Sequence, residues 1–291
     1  MKIAFIGKFQ RLHDEEYIAR SFEMIGCEVK RISQHIAWND MVQVIDAFQP
    51  DILLFCKWEK PKEMIPFIQK WQRNGMKTVC WLFDLYFDYA REYQVRNKSF
   101  FRADFVFTTD GGHNHRFASM GINHFCIRQG IFKDECKLLP FQDIKHKVVF
   151  IGSESPVYPE RTALVKELGA EWFGRKDTNH IRGLELNELY ASTGIVIGDS
   201  FPSPFYWSNR VVETLGRGGF LIHKEVDGLK KEYPDIVTYT YAEDLKQKID
   251  YYLSHEDERR EIVKKNFELV RERYTMDKKC QQLIDYVQAY K

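Results

Sequence analysis

Apolar residues in this chain fall into short runs separated by stretches in which they recur every three or four positions. The runs lie at residues 2–6, 28–32, 52–56, 78–83, 105–108 and 125–128, then at 148–151, 171–173, 194–197, 220–222 and 236–239. Runs of that length suit buried strands. The helical period between them, as at 14–25, 62–73, 160–168 and 244–253, suits amphipathic helices. Alternation of the two implies parallel sheets covered on both faces. Eleven strands are many for one open sheet, so the pattern predicts two Rossmann-like, doubly wound α/β domains facing a cleft. The chain turns polar and charged around Pro140, within 132–147, and a fresh strand begins at Lys147-Val-Val-Phe-Ile-Gly152. This predicts a first domain over 1–135 and a second over 145–275. A closing helix over 276–291 carries Leu283, Ile284 and Val287 on one face and is expected to return towards the first domain.

Composition narrows the class. With 44% hydrophobic and 15% aromatic residues, the 291-residue chain is of the folded, globular kind. A formal net charge of +1 gives no overall pull towards a polyanion. Six cysteines without a C-x-x-C spacing read as reduced thiols of a cytoplasmic protein, not as a disulfide frame or zinc site. Met1-Lys-Ile-Ala-Phe-Ile-Gly7 lacks the apolar length and cleavage site of a signal peptide, and no stretch has the length of a membrane span.

The most informative segment runs from Tyr206 to His223. A helix is expected to begin at Ser208 or Asn209, both good N-caps, and to stop at Gly216, Gly218 and Gly219 before a buried strand. A helix start offers free N–H groups and the positive end of the macrodipole, which suits an anion. Arg210 adds a cation there. Glu213, three residues on and on the same face, can accept from a pair of vicinal hydroxyls. Diphosphate at the helix start and ribose one turn further is how a nucleotide-sugar would lie. The plain alternative is an amphipathic helix with a surface Arg–Glu pair. After the strand at 148–151, Gly152 and Ser153 offer backbone and hydroxyl to a phosphate, and Arg161 begins the following helix. Taken alone, that stretch reads more readily as a solvated Pro-rich loop with a surface Arg.

In the first half, Asp84 closes an apolar strand, a position from which a carboxylate serves as general base; a helix cap or a loop ion pair is the commoner outcome. The loop Thr108-Thr-Asp-Gly-Gly-His-Asn-His115 supplies Asp110 and His113 as reserve candidates. It lacks a third well-spaced ligand, so no metal is expected. No G-x-G-x-x-G follows the first strand, and neither a P-loop, a G-x-S-x-G elbow nor an Asp-x-Asp occurs.

Three pieces carry a family resemblance: Val149-Phe-Ile-Gly-Ser153 with Arg161 beyond it, Leu189-Tyr-Ala-Ser192 before Ile195-Val-Ile, and Asn209-Arg-Val-Val-Glu213 before Gly218-Gly-Phe-Leu-Ile. Over residues 148–286 the chain resembles the CgeB-like spore-protein glycosyltransferases, of the two-domain fold called GT-B. The resemblance implies that the second domain binds a nucleotide-diphosphate sugar, a UDP-sugar being the expected donor, and that the first binds a hydroxyl acceptor. It implies no further cofactor and a metal-independent transfer. Related enzymes often carry a second acid seven positions before the helix glutamate; here that position is Tyr206.

Three other readings stay open. Arg91, Arg96, Lys98 and Arg102 interleaved with Tyr93, Phe100 and Phe101 suit glycosylation of a hydroxymethylated base in phage-type DNA, against the plainer reading of a basic solvated helix face. The others are a binding module without turnover and a sugar-nucleotide epimerase.

Overall fold

The structure is a computed structural model that describes residues 1–88, 91–154, 159–174 and 181–290. It divides into two compact units, Met1–Gln129 with Met276–Lys291, and Gly130–Thr275.

Unit 1 is a six-stranded parallel sheet in the order β2-β1-β3-β4-β5-β6. Its strands are β1 (Lys2–Gly7), β2 (Glu28–Ser33), β3 (Ile52–Phe55), β4 (Lys77–Leu82), β5 (Phe105–Thr108) and β6 (His124–Cys126). Alternate side chains of β1 enter different cores: Ala4 and Ile6 on one face, Ile3 and Phe5 on the other. The first face is covered by α2 (Trp38–Phe48), α3 (Ile65–Arg73), α4 (Glu92–Asn97) and α5 (Asn114–Ser119). The second receives α1 (Asp14–Met24). One helix cannot cover six strands. Met276, Cys280, Leu283, Ile284 and Val287 of the last helix complete that core together with Val79, Trp81, Phe105 and Phe107.

Unit 2 is a five-stranded parallel sheet in the order β11-β10-β9-β7-β8. Its strands are β7 (His146–Ile151), β8 (Glu171–Phe173), β9 (Thr193–Gly198), β10 (Leu221–Lys224) and β11 (Val237–Tyr239). The helices are α6 (Pro159–Glu167), α7 (Leu184–Ala191), α8 (Arg210–Gly216), α9 (Leu229–Glu232), α10 (Ala242–Ser254) and α11 (Glu256–Arg273); α12 (Met276–Ala289) is the helix grouped with unit 1. In each sheet the chain leaves the first strand to one side and then crosses to the other. β1 and β7 therefore border the topological switch points, where open α/β sheets take their ligands.

All eleven expected strands form, most shifted by one or two residues. The helix expected over 62–73 opens as a 3₁₀ turn, Lys62–Met64, because Pro66 suits only the first turn of the α-helix that follows. The polar segment 132–147 lies within unit 2. Ile131 is in that unit's core, and the carbonyls of Glu135 and Lys137 accept from the buried Asn187 amide at 2.9 and 2.8 Å.

Candidate functional site

The carboxyl end of the unit 2 sheet gathers two arginines on one carboxylate. Asp199 follows β9 directly. Its Oδ2 accepts from Arg161 Nε at 2.7 Å, and its Oδ1 from Arg210 Nη1 at 3.1 Å. Arg210 also donates to the carbonyls of Ile151 (2.7 Å) and Asp199 (3.0 Å). Both guanidiniums lie over the Phe150 ring, 4.5 Å away for Arg210 and 5.5 Å for Arg161. Each arginine side chain is only 10% exposed. Burial opposes ionisation of Asp199, but the two arginines outweigh it and hold the carboxyl below its usual range. Burial also pulls Arg210 below the ordinary arginine value in spite of Asp199. Among the described residues, the ion pairs here place two guanidiniums on one carboxylate.

Gly152 contributes room instead of a donor. Its N–H donates to the Phe173 carbonyl at 2.9 Å and its own carbonyl accepts from the Trp172 indole at 2.8 Å, so its N–H is already bonded within the unit. A Cβ at this position would fall 2.6 Å from Arg210 Nη2. Ser153 is exposed, and residues 155–158 of its loop lie outside the described residues. Asn209 stands at the N-cap of α8, yet its backbone is already helical and no side chain caps the helix; Ser208 Oγ is 3.5 Å from Arg210 Nη1. The expected capping by Ser208 or Asn209 is thus absent, because the helix start is tied down through Ser200. Ser200 Oγ accepts the Ser208 N–H at 3.1 Å and lies 3.2 Å from His223 Nε2. His223 Nδ1 donates to the Lys224 carbonyl at 2.6 Å, which leaves Nε2 as the acceptor of the neutral ring. Complete burial lowers the His223 pKa to about 4.

Arg210 and Glu213 do not pair with each other. Glu213 Oε2 accepts from Arg217 Nε one turn on at 3.0 Å and forms an ion pair with Nη2 at 2.9 Å. Arg217 is 4% exposed and reaches Asn187 Oδ1, the Gly183 carbonyl and Glu135 as well. Sequence reading named neither Asp199 nor Arg217 as a site residue. The first stood directly behind a strand, and the second four residues after Glu213.

In unit 1, Asp84 ion-pairs with both Lys57 and Arg91. Burial raises its pKa, but the two cations prevail and leave it below the usual carboxylate range. That is a poor setting for a general base. The loop after β5 is better arranged. Asp110, fully buried, accepts from the N–H groups of Gly112 (3.0 Å) and His113 (3.2 Å) and lies 2.9 Å from His113 Nδ1. His113 Nε2 is 2.8 Å from Asp88 Oδ2, and Arg116 holds the other oxygen of Asp88 at 3.2 Å. A neutral ring donates through one nitrogen, so a base at Nε2 requires Asp88 to move aside.

The basic stretch behind the DNA reading resolves otherwise. Phe100 and Phe101 are buried in the unit 1 core and cannot stack on a base. Arg91 pairs with Asp84, Lys98 with Glu59 at 3.3 Å, and Arg102 bonds the Arg96 carbonyl at 3.1 Å. Among the described residues, no three His, Cys, Asp or Glu side chains form a metal-binding group, and no helix is long and apolar enough to cross a membrane.

Comparison with known proteins bears on both units. The model of a family described as glycosyl transferase-like matches residues 140–285. Among solved structures, AviGT4, a glycosyltransferase involved in avilamycin A biosynthesis, superposes with a TM-score of 0.53 at 11% identity, over 98% of this chain and 96% of that one. The N-terminal domain of Candida albicans trehalose-6-phosphate phosphatase superposes with a TM-score of 0.58 at 10% identity, over 99% and 96%. At those identities the likeness is one of fold, and with AviGT4 it is the GT-B fold. No curated protein matches significantly.

Proposed function

The chain belongs to the glycosyl transferase-like family, and from that premise we propose that it moves a sugar from a nucleoside-diphosphate donor, a UDP-sugar first among them, to an acceptor hydroxyl without a metal ion. The observation that carries the reading is the pair of arginines on Asp199 beside Gly152. A diphosphate leaving group gains charge as the anomeric C–O bond breaks, and guanidiniums fixed in advance meet that charge without reorganising. They do the work a divalent cation does elsewhere. Glu213 accepts from the ribose hydroxyls. In an inverting transfer the acceptor proton goes to His113 Nε2, with Asp110 fixing the ring, while the acceptor oxygen bonds to the anomeric carbon. Asp84, held by Lys57 and Arg91, keeps those cations in place. The scattered cysteine spacing supports a cytoplasmic setting, and the motifs quoted for the resemblance support a kinship with the CgeB-like enzymes.

The test is calorimetric titration with nucleoside diphosphates, followed by donor turnover. Glu213→Ala is expected to weaken nucleotide binding by about 1.5–3 kcal/mol, the worth of a charged hydrogen bond. Unchanged affinity would remove Glu213 from the site. Binding without any turnover would favour a module without catalysis, and a rearranged donor formed without acceptor would favour an epimerase.

A further inference from the structure

Arg217 is a buried cation held by several partners at once. A guanidinium has five N–H donors. Here Nε meets Glu213 Oε2 at 3.0 Å, Nη1 meets Asn187 Oδ1 at 2.7 Å and the Gly183 carbonyl at 2.8 Å, and Nη2 meets Glu135 and Glu213 Oε2. Four of these are hydrogen bonds and the approach of Nη2 to Glu213 is an ion pair, all on a side chain 4% exposed. Asn187, fully buried, locks the far end by donating to the Glu135 and Lys137 carbonyls. The group therefore joins α7, α8 and the polar segment before β7 through one rigid fork. Glu213 is its outermost member, at 22% exposure, and the one member that the donor reading uses.

From this geometry we infer that Arg217, backed by Glu135, is a positioning residue that holds the Glu213 carboxylate ready for the donor's ribose and thereby sets the preference for a 2′-hydroxyl. The inference rests on the reading of Glu213 given above. A glutamate free to rotate must be ordered at each binding event. One pinned by a fork that cannot itself move has met that entropic cost in folding. A pinned carboxylate also discriminates, because a nucleotide lacking the hydroxyl leaves it without a ligand partner in a half-buried place. A lysine at 217 has three donors on a flexible stem and cannot keep Glu213, Glu135, Asn187 and Gly183 together.

The experiment titrates UDP, GDP, ADP and CDP, each against its 2′-deoxy counterpart, into the wild type, Glu213→Ala, Arg217→Lys and Glu135→Gln. A melting curve accompanies each protein. For the best-bound nucleotide, the wild type is expected to prefer the ribo form about ten-fold or more. Glu213→Ala should bring that ratio to about one, and Arg217→Lys to about two- or three-fold, with Glu135→Gln between it and the wild type. In turnover, the Arg217→Lys loss should appear in the donor KM, with kcat within about two-fold. Glu135→Gln keeps shape and hydrogen bonding and reads the same effect should Arg217→Lys fail to fold. A lowered melting temperature with an unchanged ribo-to-deoxy ratio in both variants would make the fork purely structural and overturn the inference. A Glu213→Ala protein with the wild-type ratio, or no nucleotide binding at all, would instead overturn the donor reading itself.

Discussion

The two units begin alike and diverge at one place. β1 ends Phe5-Ile6-Gly7, and β7 runs into Phe150-Ile151-Gly152. Both lead to a switch point. In unit 1 the Glu15 side chain lies over the glycine and accepts the Lys8 N–H at 2.6 Å; burial raises its pKa. In unit 2 Arg210 lies over the glycine, with Arg161 on the same carboxylate. A seated carboxylate repels a phosphate, whereas paired guanidiniums attract one. The shared frame says where a ligand would sit; the side chain folded over the glycine says which charge it carries. This is why fold alone does not assign the nucleotide to a unit.

Four experiments press on that contrast, the largest effect first. If unit 1 supplies the base, His113→Asn lowers the chemical rate by about 10²–10⁴-fold, while Asp84→Asn costs less than about ten-fold; equal losses in single-turnover kinetics would return Asp84 to the role. Arg210→Gln should lower kcat by about 10²–10³-fold, and Glu15→Gln at the matching place in unit 1 should leave it unchanged. A reversal of those two outcomes would put the diphosphate in unit 1. Third, the buried neutral His223 carries a proton-linked cost. Its pKa is about 4 in the folded state against 6.5 when unperturbed, so the unfolded chain binds the extra proton between those values. Stability should fall by about 3 kcal/mol from pH 6.5 to pH 4 on this account. His223→Asn, which keeps a donor for the Lys224 carbonyl, should flatten that slope in urea unfolding; an unaltered slope would assign the linkage to other groups. The smallest effect is steric. Gly152→Ala must displace Arg210 and should cost about 1–3 kcal/mol, whereas Gly7→Ala meets only the end of the Glu15 side chain, 3.0 Å away, and should cost less. Equal costs would mean that Arg210 is no more fixed than Glu15.

Period and run length sufficed for the strands, because a sheet buried on both faces leaves little choice of residue. β8 fell on its expected span even though it is three residues long. The site was half legible for a physical reason. Arg161, Arg210 and Glu213 stand near glycines and strand ends, which short-range pattern reveals. Their partners depend on which strands become neighbours: Asp199 meets Arg161 from 38 positions away, and Glu135 meets Arg217 from 82. Arg217 on Glu213 was the exception, a helical i,i+4 pair visible in the sequence. The partner of Asp84 was hidden for the same reason, since Lys57 comes from just beyond the end of the neighbouring strand.

The last helix has a consequence for how the chain is made. α12 supplies one side of the core beneath β3, β4 and β5, yet all of Gly130–Thr275 is synthesised before it. At ribosomal speed that interval is on the order of ten seconds. Throughout it Val79, Trp81, Phe105 and Phe107 lack the cover that the last helix gives them, and by its end unit 2 holds every strand and helix that it needs. The unit whose first strand emerges earliest is therefore the one completed last, and its open face is the surface on which a chaperone would act during translation.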